Sequence, residues 1–330
     1  MKKIAIEEAF AVKGVEEYTP QLLSLREFRQ EEAKLHDLVD MRVKAMEEGE
    51  LEMMVLSATS PGIQGIRDPG IAVQTAREWN DYIAGAILDH KDRYRAFACL
   101  PTRDPDACII ELKRAVTELG FVGALINGYD NAGGNPPVYF DAEEYLDFWK
   151  TAAELDVPIY IHPRTVPDDR VTTYFPYPEL KGAAWGFHVE TGEHILRMII
   201  NGVFDKVPDL KLLLGHLGEL LPLWCWRTDH RIQREGWDGE VAEKNGRPRK
   251  LSVTEYVQRN IYVSTSGSFD TPTLEHTLKV IGPEHILYAV DYPYEDPAEG
   301  NAWFNSLELD QDVLEAIGFR NARRLLKIAG

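Results

Sequence analysis

The amino-acid sequence predicts an α/β protein in which eight strands and their helical connections close into a (β/α)8, or TIM, barrel. Short apolar runs alternate along the chain with longer segments of helical periodicity, and eight such runs occur in 330 residues. Strands that are apolar throughout and joined by helical crossovers form parallel sheets, and eight such units close most simply into a barrel. A doubly wound open sheet is the alternative, but no GxGxxG or GxxxxGKS/T motif follows a strand to bind phosphate.

The predicted elements follow one another in order. The predicted strands are Lys3–Glu7, Met53–Ala58, Arg95–Pro101, Gly123–Asn127, Pro158–Pro163, Lys211–His216, Ile261–Ser266 and Ile286–Asp291. The predicted helices are Lys34–Glu48, Ile71–His90, Pro105–Leu119, Asp141–Leu155, Gly192–Val203, Thr271–Val280 and Gln311–Ile328. In the third of these helices, apolar residues recur every three or four positions from Ile109 to Leu119, and Gly120 ends the pattern.

The composition excludes several classes of partner. Lys and Arg number 36 against 54 Asp and Glu, which gives a formal net charge of -18. Nucleic acids and anionic membrane surfaces bind clustered Lys and Arg, so neither partner is expected. No stretch approaches the ~18 apolar residues of a membrane span and no signal sequence begins the chain, so we expect a cytoplasmic protein.

The organisation of the chain predicts a single domain over residues 1–330. No repeat and no long Pro/Gly/Ser linker divides it. An inserted loop region rich in Tyr, Pro and Trp, Tyr174–Trp185, precedes the segment with His188 and His194. This segment is expected to border a pocket, with core packing as the alternative. The three cysteines are too few and too scattered for a disulfide framework, so we expect them to be buried.

Polar side chains that can bind a metal stand where several predicted strands end. They are Glu7, Asn127, His162, His216 (followed by Glu219) and Asp291. The active sites of TIM barrels lie at this end of the strands. For a single histidine a structural role is the alternative, but several ionisable groups buried together without a partner are costly. Carboxylates and imidazoles that converge there suit Zn²⁺ or Mn²⁺, with a position left open for substrate.

These strand ends lie within motifs on which the sequence resembles a known family. The motifs are Ile6-Glu7-Glu8-Ala9-Phe10, Ile159-Tyr160-Ile161-His162-Pro163, Gly215-His216-Leu217-Gly218-Glu219, Asp291-Tyr292-Pro293-Tyr294 and Asn321-Ala322-Arg323-Arg324-Leu325. They resemble the metal-dependent, non-oxidative aromatic acid decarboxylases of the amidohydrolase superfamily, to which aminocarboxymuconate semialdehyde decarboxylase is related. The resemblance implies a carbon–carbon lyase that releases CO₂ from an ortho-hydroxylated aromatic acid. A metal-dependent hydrolase or hydratase on the same barrel is one alternative, and a catalytically inactive barrel that serves in binding or assembly is the other.

The first motif departs from part of the family. The superfamily pattern is His-x-His and the γ-resorcylate enzymes have Glu-x-His, whereas Ala9 stands at the second position here. The resemblance therefore favours the enzymes for 2,3-dihydroxybenzoate, salicylate and 5-carboxyvanillate, which share the Glu-Glu-Ala-Phe start. The segments Gly186–Gly192 and Tyr288–Tyr294 most resemble the 5-carboxyvanillate enzymes, and the sequence leans towards that substrate.

Carried over by position, the resemblance implies a role for each site residue. One Mn²⁺ or Zn²⁺ would be held by Glu7, His162 and Asp291, and Asp291 would also protonate the ring. His216 and Glu219 would act as a pair, with direct metal binding by His216 left open. For Glu219, a favourable charge at a helix N-terminus is the alternative. The substrate would contact Arg227, Asn127, Phe187 and Tyr294, with core packing as the alternative for the aromatic residues. The resemblance also implies a homodimer or a homotetramer.

Overall fold

Eight parallel strands form the centre of the molecule. The computed structural model describes residues 1–14, 25–130, 137–167, 170, 176–247 and 249–329. The strands are β1 Lys3–Phe10, β2 Leu51–Ala58, β3 Tyr94–Ala96, β4 Ala124–Asn127, β5 Ile159–His162, β6 Leu212–Leu214, β7 Ile261–Ser264 and β8 Ile286–Leu287. Each predicted run overlaps an observed strand. Strands β3, β6 and β8 are shorter than predicted because their last predicted residues belong to the loops at the carboxyl end.

Hydrogen bonds close these strands into a ring. Strands β1 to β3 form one parallel ladder and β4 to β8 form a second. A bridge between Ala98 and Ala124 joins the two ladders on one side. On the other side, the Ile6 amide donates to the Tyr288 carbonyl at 3.2 Å and the Ala9 amide donates to the Tyr292 carbonyl at 2.7 Å. The predicted barrel is therefore confirmed, and the open-sheet alternative was wrong.

The apolar side chains of the strands pack in two layers. On β2, Met53 and Val55 belong to a small cluster with Phe97 and Tyr160, which fills the inside of the barrel. Met54 and its outward-facing neighbours belong to a larger cluster shared with the helices. The continuous apolar runs in the sequence thus reflect burial on both faces of the strands.

The helices surround the strands. They are α1 Leu25–His36, α2 Asp40–Glu48, α3 Pro69–Ala86, α4 Pro105–Thr117, α5 Leu146–Glu154, α6 Gly186–Ile200, α7 Val203–Lys206, α8 Leu221–Arg234, α9 Gly239–Lys244, α10 Val253–Asn260, α11 Thr271–Ile281, α12 Pro297–Asn305, α13 Gln311–Glu315 and α14 Asn321–Leu325. A π-helical turn at Ala316–Arg320 joins the last two. None of the described helices has both the length and the apolarity needed to cross a bilayer.

Local sequence signals explain where several helices begin. An Asp side chain accepts a backbone N–H in the first turn of α3, α4, α11 and α12, and a Pro occupies one of the first two positions of each. Both residue types favour a helix N-terminus, because Asp satisfies a free N–H and Pro has none to satisfy. In α10, Ser252 and Glu255 form a capping box.

The helix prediction was wrong in several places. The predicted helix Lys34–Glu48 is two helices, because the chain turns after His36 and the Asp37 carboxylate accepts the amide of Arg42 at 3.1 Å. The helix predicted at Gly192–Val203 is α6, which begins earlier and ends before Gly202, a residue with φ 74. Helices α8, α9, α10 and α12 were not predicted, although α10 and α12 carry clear N-terminal signals. The three cysteines are buried and free, as expected.

His194 on α6 is packed between helices and does not border the cavity described below. Its Nε2 accepts the backbone N–H of Phe140 at 3.1 Å, and its ring meets the ring of Tyr139 edge-on at 5.1 Å between centroids. The residue is 1% exposed. Burial, reinforced by the charge of Arg197, lowers the pKa of His194 to about 3. Core packing, the alternative given for this residue, is what the structure shows.

The neutral state of His194 predicts a pH dependence of stability. The unfolded chain protonates this histidine near 6.5 whereas the folded chain does not, so acidification below about pH 6.5 favours unfolding. The contribution is about 1.4 kcal/mol per pH unit until the pH approaches the folded pKa. His194→Gln keeps an acceptor for Phe140 but does not titrate. Urea unfolding at pH 7 and pH 5 will show a smaller loss of stability in the variant, and an equal loss would contradict this account.

Candidate functional site

A cavity of about 250 Å³ opens at the carboxyl ends of the strands. This volume is slightly below the ~300–1,000 Å³ of pockets for drug-sized ligands, which suits one small molecule. Its inner part contains three kinds of side chain: carboxylates, imidazoles and small hydroxyls. The described residues that line it are Glu7, Ala9, Gln30, Glu31, Ser57, Ala58, Thr59, Ser60, His162, Ala183, Phe187, His216, Asp291, Tyr294 and Glu295.

Three side chains in this cavity form a candidate metal centre. Glu7, His162 and Asp291 each offer one ligand atom, and these atoms lie within 4.8 Å of one another. His162 Nε2 is 3.4 Å from Glu7 Oε1. The residues come from β1, from β5 and from the loop after β8, so the closed barrel is what brings them together. The expected metal ligands are thus neighbours in the structure.

A β-bulge determines which way the side chains of β1 point. Between Ala5 and Glu8, β1 has one more residue than the matching part of β2. A bulge interrupts the regular alternation of faces and re-aims the side chains beyond it. Ile6 packs inside the barrel, and Glu7 and Ala9 line the cavity. Glu8 is turned instead towards the seam between β1 and the segment after β8.

The Glu7 carboxylate is buried, and one of its oxygens has no hydrogen bond. Tyr160 and Ser264 both donate to Oε2, the serine at 2.9 Å. Oε1 has no hydrogen-bond partner among the described residues. Burial raises the pKa of Glu7 to about 7, against the opposing attraction of a positive charge on His216. A bound cation would satisfy Oε1 and offset the cost of burial, and the donor set of carboxylates and imidazole fits Mn²⁺ or Zn²⁺.

The turn after β6 places His216 beside Glu219. Residues 216 to 220 all have positive φ, with values of 51, 55, 90, 51 and 66. This left-handed conformation costs about 1–3 kcal/mol at a residue with a side chain, and such strain is concentrated at functional sites. His216 Nδ1 donates to Glu219 Oε1 at 2.5 Å, and His216 Nε2 is 3.6 Å from Asp291 Oδ2. The expected pair is present and adjoins the candidate metal centre.

Glu219 also binds a second imidazole that the sequence did not single out. His188 Nδ1 donates to Glu219 Oε2 at 2.6 Å. Burial would raise the pKa of Glu219, but the charges and hydrogen bonds of His216 and His188 lower it to about 2. Burial would likewise lower the pKa of His216, but the charge of Glu219 outweighs it and the pKa is raised. His188 lies within a segment noted in the sequence, but only the folded chain shows its partner.

Of the four residues expected to bind substrate, two line the cavity and two do not. Phe187 and Tyr294 line the cavity, and the Tyr294 hydroxyl is 2.5 Å from Thr59 Oγ1. Asn127 is buried behind the wall, where its backbone N–H donates to a glutamine side chain at 3.0 Å. Arg227 is exposed on α8 and is not among the lining residues. The structure therefore places neither Asn127 nor Arg227 among the described residues that line the cavity.

Helix α1 contributes residues to the cavity that the sequence did not indicate. Gln30 and Glu31 line it, together with Glu295 from the segment after β8. The described lining residues include no Lys or Arg. In the inserted loop region, residues 174 and 175 lie outside the described residues, and Trp185 is 47% exposed. Sequence patterns could not place α1 over the cavity because its position depends on tertiary packing.

Comparison with known proteins identifies the family. A family model described as "Amidohydrolase" matches residues 29–328. Gamma-resorcylate decarboxylase from Rhodococcus jostii (strain RHA1) is 38% identical over 330 residues, which cover 99% of this chain and 98% of that protein. The resemblance to aromatic acid decarboxylases that the motifs suggested is confirmed.

Two solved structures are similar over nearly their whole length. A dihydroxybenzoic acid decarboxylase from Polaromonas sp. JS666, with bound manganese and the inhibitor 2-nitroresorcinol, has a TM-score of 0.92 at 38% identity, covering 99% of this chain and 97% of that chain. A 5-carboxyvanillate decarboxylase from Sphingomonas paucimobilis has a TM-score of 0.89 at 28% identity, covering 99% of each chain. Overall identity is thus higher to the dihydroxybenzoate enzyme, although Ala9 pointed away from the γ-resorcylate group.

Gly215 leaves room for the Glu7 carboxylate, so a side chain at this position is expected to displace it. A Cβ on Gly215 would lie 2.8 Å from Glu7 Oε1 and 2.9 Å from Oε2, whereas a Cβ on Gly85 in α3 would meet nothing within 4 Å. Gly215→Ala will push the carboxylate away from its hydroxyl donors. We expect a loss of roughly 1–3 kcal/mol in the free energy of unfolding without added metal, measured in urea.

Gly85→Ala is the matched control, since Ala favours an exposed helix position over Gly. The control will be as stable as the wild type or more so. Equal stability of Gly215→Ala and the wild type would show that the Glu7 carboxylate is not confined as described.

Proposed function

This protein belongs to the amidohydrolase family, and from that premise we propose that it removes CO₂ from an ortho-hydroxylated aromatic carboxylic acid. One divalent metal ion, Mn²⁺ or Zn²⁺, would be held by Glu7, His162 and Asp291. The proposal depends chiefly on one observation: three ligand atoms within 4.8 Å of one another in a small cavity. The similar proteins named above are decarboxylases of aromatic acids, and one of them contains manganese.

Among aromatic acids, the cavity supports a substrate with a single carboxylate. Glu31 and Glu295 line the part of the cavity formed by α1 and the segment after β8. Burial, with repulsion from Asp291, raises the pKa of Glu295, so an added anion there is disfavoured. Lys34 Nζ lies 2.7 Å from Glu31 Oε2 and compensates that charge, although Lys34 is not among the described lining residues. A second carboxylate, as in 5-carboxyvanillate, would therefore be opposed chiefly by Glu295 and would meet no Lys or Arg among the described lining residues. We therefore propose a mono- or dihydroxybenzoate, in place of the dicarboxylate towards which the sequence leaned.

The order of bond changes follows from the chemistry of the ring. Loss of CO₂ from an intact aromatic ring would leave an aryl carbanion, so the carbon that bears the carboxylate takes up a proton first. The bond to the carboxylate then breaks, its electron pair restores the aromatic ring, and CO₂ departs. The metal, when bound, supplies positive charge for the carboxylate and the ortho hydroxyl of the substrate.

Asp291 is the proposed proton donor. It lines the cavity, and its Oδ2 is 3.6 Å from His216 Nε2. His216, which is held by Glu219 and lies beside Asp291, is the group placed to return a proton to Asp291 after the transfer. Glu219 and His188 fix the orientation of His216 through hydrogen bonds of 2.5 and 2.6 Å. Asp291, His216, Glu219 and His188 are thus successive neighbours from the cavity to an imidazole that is 23% exposed.

The reaction is tested by measuring CO₂ release from a panel of acids. Manganese-loaded protein will be incubated with 2,6-dihydroxybenzoate, 2,3-dihydroxybenzoate, salicylate and 5-carboxyvanillate. We expect release from at least one monocarboxylate, and loss of release after chelation or in His162→Ala. His90→Ala, which removes a histidine that meets the Tyr94 ring edge-on and does not line the cavity, is the control and will remain active. Absence of CO₂ from every acid would refute the proposal, and turnover of a lactone or amide would favour a hydrolase.

Replacing Asp291 separates proton transfer from metal binding. Asp291→Asn keeps an oxygen that can bind the metal but has no proton to give. We expect the variant to retain part of its affinity for Mn²⁺, measured by calorimetry. We expect kcat to fall by ~10²–10⁴-fold. Asp238→Asn, at an exposed position before α9, will behave as the wild type. Near-normal kcat in Asp291→Asn would show that another group donates the proton.

We also propose that the protein is cytoplasmic and forms a homodimer or homotetramer, and exposed apolar residues on α8 support the assembly. Leu223, Trp224 and Trp226 on α8 are 48%, 55% and 71% exposed. Large apolar side chains grouped on a surface mark protein interfaces, and the clustering on one helix favours a second copy of the chain here. Light scattering that reports a monomer would contradict the assembly.

A further inference from the structure

The buried carboxylate of Glu8 binds the backbone on both sides of Asp291. Its Oε1 accepts the N–H of Val290 and its Oε2 accepts the N–H of Tyr292, each at 3.0 Å. Glu8 is 0% exposed and is not among the residues that line the cavity. Asp291, whose carboxylate lines the cavity, is the residue between these two amides.

These two hydrogen bonds occupy a gap in the seam that closes the barrel. Backbone bonds join β1 to the segment after β8 from Ile6 to Tyr288 and from Ala9 to Tyr292. The β-bulge between Ala5 and Glu8 interrupts the regular spacing of β1 in this stretch. In a regular parallel pair, the amides of Val290 and Tyr292 would donate to backbone carbonyl groups of the neighbouring strand. Here the side-chain carboxylate of Glu8 accepts both amides instead.

The backbone held in this way is unusual. Asp291 has φ 82, a conformation that residues with a side chain rarely adopt. Such a conformation persists only where the surroundings fix it from several sides. Hydrogen bonds to the preceding and the following amide provide that constraint, and they orient the Asp291 side chain towards Glu7 and His162.

Arg42 contacts both β1 and the segment after β8 near Glu8. It is 0% exposed, its Nη2 donates to the Ala9 carbonyl at 2.7 Å, and its guanidinium lies 4.8 Å from the centre of the Tyr292 ring. The cation thereby contacts both chain segments that Glu8 links. Burial raises the pKa of Glu8 to about 8, and the two backbone hydrogen bonds and, to a smaller extent, the charge of Arg42 oppose that rise.

We infer that Glu8 is a positioning residue, which sets the direction of the Asp291 carboxylate by binding the two flanking backbone amides. It contacts neither the substrate nor the metal and acts only through Asp291. The inference rests on the proposed function, in which Asp291 is a metal ligand and the proton donor. The competing explanation is that Glu8 merely stabilises the barrel seam.

Glu8→Gln tests the inference with little change of volume. The amide retains one acceptor oxygen, but its NH₂ group faces a backbone N–H, so one of the two bonds is lost. Groups that orient a metal ligand typically contribute ~10–100-fold to metal affinity or activity. We expect the dissociation constant for Mn²⁺, measured by calorimetry, to rise by about that factor. In manganese-saturated enzyme, kcat will fall while KM changes little.

Asn260→Ala is the matched control for a purely structural loss. Asn260 is 1% exposed and its side chain donates to two backbone carbonyls, Pro208 at 2.9 Å and Leu210 at 2.7 Å. It precedes β7, at the end of the barrel away from the cavity. The control will lose stability but keep the Mn²⁺ affinity and the kcat of the wild type.

The outcomes distinguish the two explanations. If Glu8→Gln is less stable but binds Mn²⁺ and turns over substrate like the wild type, Glu8 is structural and the inference is overturned. Should this variant fail to fold, Glu8→Asp takes its place, because the shorter carboxylate cannot reach both amides and must also weaken Mn²⁺ binding. Failure of the proposed function would appear separately, as wild-type protein that releases no CO₂, whereas Mn²⁺ affinity tests Glu8 without any substrate.

Discussion

The cost of burying the Glu7 carboxylate is the constraint on which the rest of this site depends. Closure of the barrel brings the ligand atoms of Glu7, His162 and Asp291 within 4.8 Å of one another. The two carboxylates cannot both remain charged at this distance unless a positive charge compensates them. Hydroxyl donors satisfy one Glu7 oxygen and leave the other without a partner among the described residues. The arrangement is therefore suited to a divalent cation and costly without one, which is why a structural explanation of these residues is the weaker one.

The irregular backbone around the cavity follows from the same constraint. Functional side chains can converge only if the chain leaves the regular strand geometry at the right residue. The bulge in β1 turns Glu7 inward, the left-handed turn from residue 216 to 220 pairs His216 with Glu219, and Asp291 adopts φ 82. Each departure is held by hydrogen bonds from a neighbouring element: the Leu217 amide, for example, donates to the Ser264 carbonyl at 2.8 Å. Strain at these positions is offset by the regular, apolar barrel beneath them.

The parts of this structure that could be predicted are those that depend on local sequence. Continuous apolar runs identified the strands, and a polar residue at the end of a run identified Glu7, His162 and Asp291, because strand ends meet at one edge of a parallel barrel. The contribution of Glu31 and the exposed position of Arg227 could not be predicted. They depend on how α1 and α8 pack and on which helix face meets the barrel, and α8 was not itself predicted. The role of Glu8 was equally hidden, since a bulge decides which of two adjacent glutamates faces the cavity.

The acidity of the chain takes on a specific meaning at the cavity. Besides Glu7 and Asp291 of the candidate metal centre, Glu31 and Glu295 line its walls, and the described lining residues supply no Lys or Arg. An aromatic carboxylate that approaches the metal-free cavity meets only partly compensated negative charge. On the proposed function, attraction must come from the bound divalent ion, because its charge is the largest near the site and acts in a partly dehydrated environment. The same carboxylates of the wall that disfavour a second anionic group can accept hydrogen bonds from neutral hydroxyls of a substrate.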